Sequence, residues 1–404
     1  MSEQTKGRLS AGQGTAMLLG GVLGPGMLVL PQLAAEAAGP ASILAWVGLL
    51  ALSAPVAITF ATLGTHYPNG GGVAAFTGLA FGGRAAAVVG WWFYGAVPIG
   101  IVAGAQVGAV YVANTLGVDK TVAAATLLAA AFLANAAGLR TSGRLQVAMV
   151  LLLIALLATA VGTAAPHASA ANFTPFAPYG MAGVISAAGV LFFAFVGWEA
   201  ATHLSAEITD IRRATTVTLT VISVLYLSVS ITSIAVLGRA APLSALLETG
   251  IGAAAGPIIT TAAIALTFGA INTYIAGAAR LGASMAGSGS LPPWFGKGGT
   301  PYRSLALLAA LTALIMLLPA DLDTLMRATS ACLAAVTTAG VAAAVRILPP
   351  GKPRNTAIVA TVLSCIALAC CGAYLAVPAA LSLIGLLVAK PYPRRPKPCA
   401  AGSG

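Results

Sequence analysis

The stretch Gly20-Gly21-Val22-Leu23-Gly24-Pro25-Gly26-Met27 interrupts the first apolar segment of the chain, and Phe192-Phe193-Ala194-Phe195-Val196-Gly197-Trp198-Glu199 interrupts a later one. A membrane-spanning helix normally satisfies its own backbone N–H and C=O groups, and a break at mid-span leaves some of them without partners. Such breaks are tolerated where the freed backbone lines a cavity and meets a ligand, as in transporters built from broken helices. The two breaks therefore predict a binding site between them.

The composition is that of an integral membrane protein. Hydrophobic residues make up 59% of the chain and charged residues 7%, and the mean hydropathy is +0.95. Soluble domains carry about 25% charged residues. Polar and Gly/Pro clusters divide the sequence into about twelve apolar segments near the length of a spanning helix. We therefore expect an all-α, multi-pass protein surrounded by the lipid bilayer.

The net charge of +11 does not indicate a nucleic-acid partner. With twelve spans and a cytoplasmic N-terminus, all of the 20 Lys and Arg residues except Lys120, Arg239 and Arg327 fall on the cytoplasmic side. The positive-inside rule explains this distribution. It also places the basic C-terminal tail in the cytoplasm, which requires an even number of spans.

The breaks fall in spans one and six, the first span of each half of a ten-span core. Two repeats of five spans each must have opposite topologies, which is the inverted-repeat arrangement of many secondary transporters. The predicted organisation is one transmembrane domain with a first repeat at 12–165 and a second at 180–347. Spans eleven and twelve follow at 355–389, divided near Cys371-Gly372, and the tail occupies 390–404.

Four places in the chain resemble the amino acid–polyamine–organocation (APC) superfamily. They are Leu23-Gly24-Pro25-Gly26, the stretch 66–82, the run from Phe195 through Glu207, and the end of span eight at 280–292. Within this superfamily the sequence is similar to the bacterial branch of methionine and branched-chain amino-acid exporters. The resemblance implies the LeuT-type fold, amino-acid transport and a bacterial inner-membrane location.

Helix ends at the breaks indicate how a zwitterion would bind. Free N–H groups of Gly26 and Met27 would present the positive end of a helix dipole to a carboxylate. Carbonyls of Val22 and Leu23, and those of 193–196, would accept from an ammonium. The alternative is that the glycines only allow close helix crossing and Pro25 only kinks the span. The predicted substrate-binding residues are Val22, Leu23, Gly24, Pro25, Gly26, Met27, Phe193, Ala194, Phe195, Val196, Gly197 and Tyr274.

The family resemblance gives three of these residues a more specific meaning. Phe193 matches the aromatic gate that covers substrate in family members, and Tyr274 lies where span eight can offer another aromatic ring. Ordinary packing is the alternative for both. Pro25 stands where family members often have Ser or Thr, so this break has one donor fewer.

Glu199, His203 and Glu207 recur every four residues along span six and form one stripe. Ionisable groups within spans often mark proton routes, and histidine titrates near pH 6.5. We predict that this stripe carries a coupling proton. In the alternative, Glu199 only stabilises a helix N-terminus, and Glu207 only pairs with Arg212 or Arg213.

The coupling ion is predicted to be a proton, with sodium held by Thr267, Asn272 and Thr273 as the alternative. No catalytic motif or metal-ligand spacing is present, so we expect neither an enzyme nor a cofactor. The predicted function is proton-coupled export (antiport) of methionine, leucine, isoleucine and valine. The alternatives are an uptake permease or exchanger for amino acids or polyamines, and a transporter-like sensor. Monomer and homodimer are both open.

Overall fold

The computed structural model describes residues 11–67, 72–138, 143–195, 197–198, 210–238, 242–287, 289–291, 293–296 and 302–388. Within these ranges the regular structure is helical throughout. The α-helices are α1 Ala11–Val22, α2 Leu30–Ala38, α3 Ser42–His66, α4 Gly72–Phe81, α5 Gly83–Leu116, α6 Lys120–Ala136, α7 Gly143–Ala164, α8 Gly180–Leu191, α9 Ile211–Leu237, α10 Leu243–Ile251, α11 Ala255–Gly287, α12 Tyr302–Met316, α13 Leu322–Ile347, α14 Lys352–Ala369 and α15 Ala376–Val388.

Span one is broken where the glycines and proline predict it. Helix α1 ends at Val22, Gly24 is extended (φ −99°, ψ 176°), and Pro25–Leu28 forms a 3-10 turn. The predicted free N–H groups of Gly26 and Met27 require a helix that starts at the break. Instead α2 begins only at Leu30, because Val29 leaves the helical conformation with φ −127° and ψ −24°.

The described part of span six also leaves the α-helical conformation. Helix α8 ends at Leu191 and continues as a 3-10 turn over Phe192–Phe195. Gly197 then adopts φ +119°, a conformation that favours glycine. The chain therefore leaves the helix without strain at this point.

The twelve predicted segments each fall on a helix or a broken helix of the described residues, although many are short. Six helical stretches there are long and apolar enough to cross a membrane, and α14 with α15 gives a seventh if that pair, bent by 110°, is one span. The second half of span one is counted within the stretch Leu30–His66, while the first half of span six, Gly180–Ala194, and the apolar helices α4, α6 and α12 are shorter than this criterion. The bend lies at Gly372, close to the predicted division at Cys371-Gly372.

Aspartates mark the start of three helices. Asp119, Asp210 and Asp321 each accept a hydrogen bond from a backbone N–H in the first turn of α6, α9 and α13. This is the favoured N-cap arrangement, because it satisfies donors that have no partner within the helix.

Long buried helices form the centre of the molecule. Helix α5 packs against α11, α13, α6 and α15, while α2 packs against α8. Arg327 on α13 donates to the Ser186 carbonyl of α8 at 2.8 Å and pairs with Asp323 at 2.6 Å. The first half of span six is therefore tied to span ten and to the second half of span one. The division into two five-span repeats stays a prediction.

Candidate substrate-binding site

A central cavity lies between the two breaks. It encloses about 680 Å³ of empty space, including the part open to the outside. The lining comes from five elements besides the two 3-10 turns, and its members are Val22, Gly24, Pro25, Gly26, Met27, Phe93, Ala96, Val97, Gly100, Ile101, Gly104, Phe193, Ala194, Tyr226, Ala270, Ile271, Tyr274, Thr329 and Leu333.

Eight of the predicted substrate-binding residues line this cavity, namely Val22, Gly24, Pro25, Gly26, Met27, Phe193, Ala194 and Tyr274. Leu23 lines a separate small cavity beside α7 and α11. Phe195 belongs to the 3-10 turn, and Gly197 is buried beyond it. Val196 and the predicted proton stripe of Glu199, His203 and Glu207 lie outside the described residues.

Two helix faces that the sequence did not predict complete the wall. The lining residues on α5 are Phe93, Ala96, Val97, Gly100, Ile101 and Gly104, and those on α13 are Thr329 and Leu333. These spacings of three and four residues place each set on one side of its helix. Gly100 and Gly104, four residues apart on α5, are the sequence feature from which this face of the cavity could have been predicted. Of the four consecutive aromatic residues at 91–94, only Phe93 is among the described residues that line the cavity.

The two breaks touch each other directly. A Cβ atom added to Gly26 would lie 3.0 Å from Phe193 Cδ1 and 3.1 Å from its Cε1. The absence of a side chain at Gly26 therefore lets the aromatic ring of span six rest on the backbone of span one. Gly24 has no atom within 4 Å of an added Cβ and faces open space.

Buried tyrosines satisfy carbonyls that the breaks release. The hydroxyl of Tyr226 on α9 lies 3.3 Å from the Val22 oxygen and 3.1 Å from the Ala194 oxygen. The hydroxyl of Tyr111 on α5 donates to the Leu28 oxygen at 2.8 Å. Tyr226 lines the cavity as well. Neither tyrosine was predicted, because the chain positions that meet a break depend on helix packing.

The backbone donors at the first break differ from the prediction. The Met27 N–H donates to the Gly24 carbonyl at 3.3 Å and is therefore not free, because the chain tightens into a 3-10 turn here. Pro25 has no N–H group. Gly26 is the second residue of the turn, so its N–H has no acceptor within the turn.

The oxygen groups proposed for sodium do not converge. Thr267 faces Gly108 of α5, and the Asn272 side chain accepts from Asn135 of α6 at 2.6 Å. The Thr273 hydroxyl donates to the Gly269 carbonyl at 2.9 Å. The three side chains of α11 therefore point to different partners, since consecutive residues occupy different sides of a helix.

Two broken spans that meet at a central cavity, within an all-α membrane fold, define a transporter with the LeuT-type fold. The chain belongs to the amino acid permease family, whose model matches residues 9–388, and this family is part of the APC superfamily. Members of the family are transporters and not enzymes.

Individual proteins agree with this assignment. The amino acid permease YecA of Bacillus subtilis (strain 168) is 34% identical over 356 residues, which cover 83% of this chain and 84% of YecA. The L-methionine/branched-chain amino acid exporter YjeH of Escherichia coli (strain K12) is 37% identical over 216 residues, 52% of this chain and 50% of YjeH. The crystal structure of a mutant manganese transporter from Eremococcus coleocola has a TM-score of 0.56 with 16% identity, covering 93% of this chain and 91% of that one.

Proposed function

We propose that this protein is a secondary active transporter that exports neutral apolar amino acids by alternating access in a bacterial inner membrane. Methionine, leucine, isoleucine and valine are the proposed substrates, and proton antiport is the proposed driving reaction. The protein would need no cofactor.

The character of the cavity wall supports this substrate class. Among the described residues that line the cavity there is no Asp, Glu, Lys, Arg or His. A charged substrate side chain would lose its hydration there without gaining a partner, which is costly. The side chains of Phe93, Ile101, Phe193 and Leu333 offer apolar contacts instead. Apolar substrate side chains are therefore the best match to the wall.

Backbone groups at the breaks suit the common part of an amino acid. The Gly26 N–H at the start of the 3-10 turn is available for a carboxylate. Carbonyls of Val22 and Ala194 lie at the cavity and would accept from an ammonium group. The substrate carries both groups on one carbon, so it can reach both sites while its side chain meets the apolar wall.

The proposed export rests on one relative, and the proposed proton coupling rests on the stripe of Glu199, His203 and Glu207. The E. coli relative YjeH is an exporter by name, whereas YecA is an amino acid permease by name. The fold itself works in either direction, because the gradients set the direction of net flux. Uptake, exchange and amino-acid sensing are therefore the outcomes against which the proposal is tested.

Counterflow into proteoliposomes tests the substrate class. We expect purified protein to exchange labelled methionine and leucine, with competition by isoleucine and valine. Arginine and a polyamine should not compete, since the described lining residues offer no acidic side chain. An inward-directed proton gradient should accelerate export from preloaded vesicles. Preferred binding of a cation that lacks a carboxylate would contradict the proposal, and substrate binding without flux would indicate a sensor.

Replacing Glu199 with glutamine tests the proton stripe. Glutamine keeps the size of the side chain but cannot take up a proton, so flux should lose its dependence on an imposed pH gradient while counterflow continues. Glu248→Gln, at an exposed position on α10, is the matched control and should keep the wild-type pH response. Unchanged pH dependence in Glu199→Gln would rule out Glu199 as the proton carrier.

A further inference from the structure

Tyr226 contacts both breaks and also borders the cavity. Its ring is fully buried and packs edge-on against Trp46 of α3, with ring centroids 5.2 Å apart. The side chain lines the cavity together with Val22 and Ala194. The ring is therefore held by span two, while the hydroxyl reaches both broken spans.

Two carbonyl oxygens compete for the single proton of the Tyr226 hydroxyl. It lies 3.3 Å from the Val22 oxygen and 3.1 Å from the Ala194 oxygen but carries a single proton. It can donate fully to only one of these carbonyls at a time. The hydroxyl oxygen is an acceptor as well as a donor, and a carbonyl oxygen has two lone pairs. The Val22 oxygen also accepts from the Gly24 N–H at 3.0 Å, which leaves one of its two lone pairs for another donor when the Tyr226 hydroxyl donates to Ala194. Three oxygen atoms that can act as acceptors thus lie together at the cavity wall.

We propose that Tyr226 is a specificity-determining residue that accepts the third N–H of a primary ammonium group, alongside the carbonyls of Val22 and Ala194. The inference rests on the proposed function, because it takes the substrate to be an amino acid bound between the breaks. A primary ammonium has three N–H donors, one for each oxygen. The site would therefore select primary amines over N-methylated ones.

Tyr111 provides a matched control for this role. It is also a buried tyrosine, and its hydroxyl also donates to a carbonyl of the first break, Leu28, at 2.8 Å. Tyr111 does not appear among the described residues that line the cavity. Loss of its hydroxyl should thus affect the stability of the break without removing a ligand contact.

The experiment compares leucine, N-methylleucine and α-methylleucine as ligands of the purified full-length protein by calorimetry. The two analogues each carry one additional methyl group, but only N-methylleucine has lost an N–H. For wild type we expect N-methylleucine to bind about 10- to 100-fold more weakly than α-methylleucine, the effect of one charged hydrogen bond. Tyr226→Phe should bind leucine more weakly by a similar factor and should reduce the preference for α-methylleucine over N-methylleucine to near unity. Tyr111→Phe should keep the wild-type preference.

The outcomes separate this inference from the proposed function. If wild type binds leucine and Tyr226→Phe keeps the full preference against N-methylation, Tyr226 is only a structural link and the inference is wrong. If wild type binds no amino acid, the proposed function fails and the inference fails with it. Should Tyr226→Phe not fold, the comparison of N-methylleucine with α-methylleucine in wild type can still overturn the inference. Equal binding of N-methylleucine and α-methylleucine would leave the third N–H without a partner and overturn the inference.

Discussion

Gly282→Ala is expected to lower the free energy of unfolding by about 3 kcal/mol, at the upper end of the usual cost of overpacking. An added Cβ would collide with Ser304 Oγ of α12 and lie 2.7 Å from Tyr94 Cε2 of α5. Both neighbours are fully buried, and the Tyr94 hydroxyl hydrogen-bonds to the Ser304 carbonyl at 3.2 Å. Rotation of the Ser304 hydroxyl would break its own 3.2 Å hydrogen bond with the Tyr94 hydroxyl, and a shift of the Tyr94 ring would break both bonds, so we expect helices α5, α11 and α12 to separate. Thermal unfolding in detergent measures the loss.

Gly277→Ala is the control on the same helix. No atom lies within 4 Å of a Cβ at this exposed position. Alanine favours the helix by up to about 1 kcal/mol over glycine, so stability should stay the same or rise. Equal melting temperatures for the two variants would show that α11 is not packed against Ser304 and Tyr94 as described.

Gly26→Ala is expected to weaken leucine and methionine transport by about tenfold through KM, within the range that overpacking produces. The added Cβ would lie 3.0 Å from Phe193 Cδ1 and 3.1 Å from Leu30 Cδ1. Leu30 is fully buried, whereas Phe193 is only partly buried and borders the cavity. The ring is therefore the group that moves, and it moves into the space for the substrate side chain. Counterflow at increasing substrate concentration measures the change.

The size of the substrate provides an internal check. Valine, the smallest of the proposed substrates, needs less of the cavity than leucine does, so the KM for valine should rise less in Gly26→Ala. Gly24→Ala adds the same methyl group at the same break but meets no atom within 4 Å, so its effect should be smaller. An equal loss in both variants would mean that any bulk at this break impairs transport, whether or not the Phe193 ring is displaced.

The sequence alone was sufficient for properties that depend on local chemistry. Few charges and long apolar runs require a membrane, because such a chain cannot be hydrated as a soluble domain. Pro25 between two glycines ends α1, since proline removes an N–H and glycine weakens the helix. Glycine at 197 likewise allows a backbone conformation outside the helix. These choices are made within a few residues, so the breaks and the family motifs could be located in advance.

The proposed proton stripe, unlike the breaks, rests on residue spacing alone. Glu199, His203 and Glu207 were chosen for their spacing, and they lie outside the described residues. Their role stays a prediction until the pH response of Glu199→Gln is measured.

Only the tertiary structure decided which distant groups meet at the breaks. Tyr226 and Tyr111 lie on α9 and α5, far along the chain from the carbonyls that they contact. The sequence also did not predict which face of α5 lines the cavity, or that Thr267 and Asn272 contact separate partners. Helical periodicity shows which residues share a face, but the crossing angles and rotations of packed helices determine what that face meets. The sequence therefore determined where the backbone is open, and the packing of the helices determined which side chains complete the site.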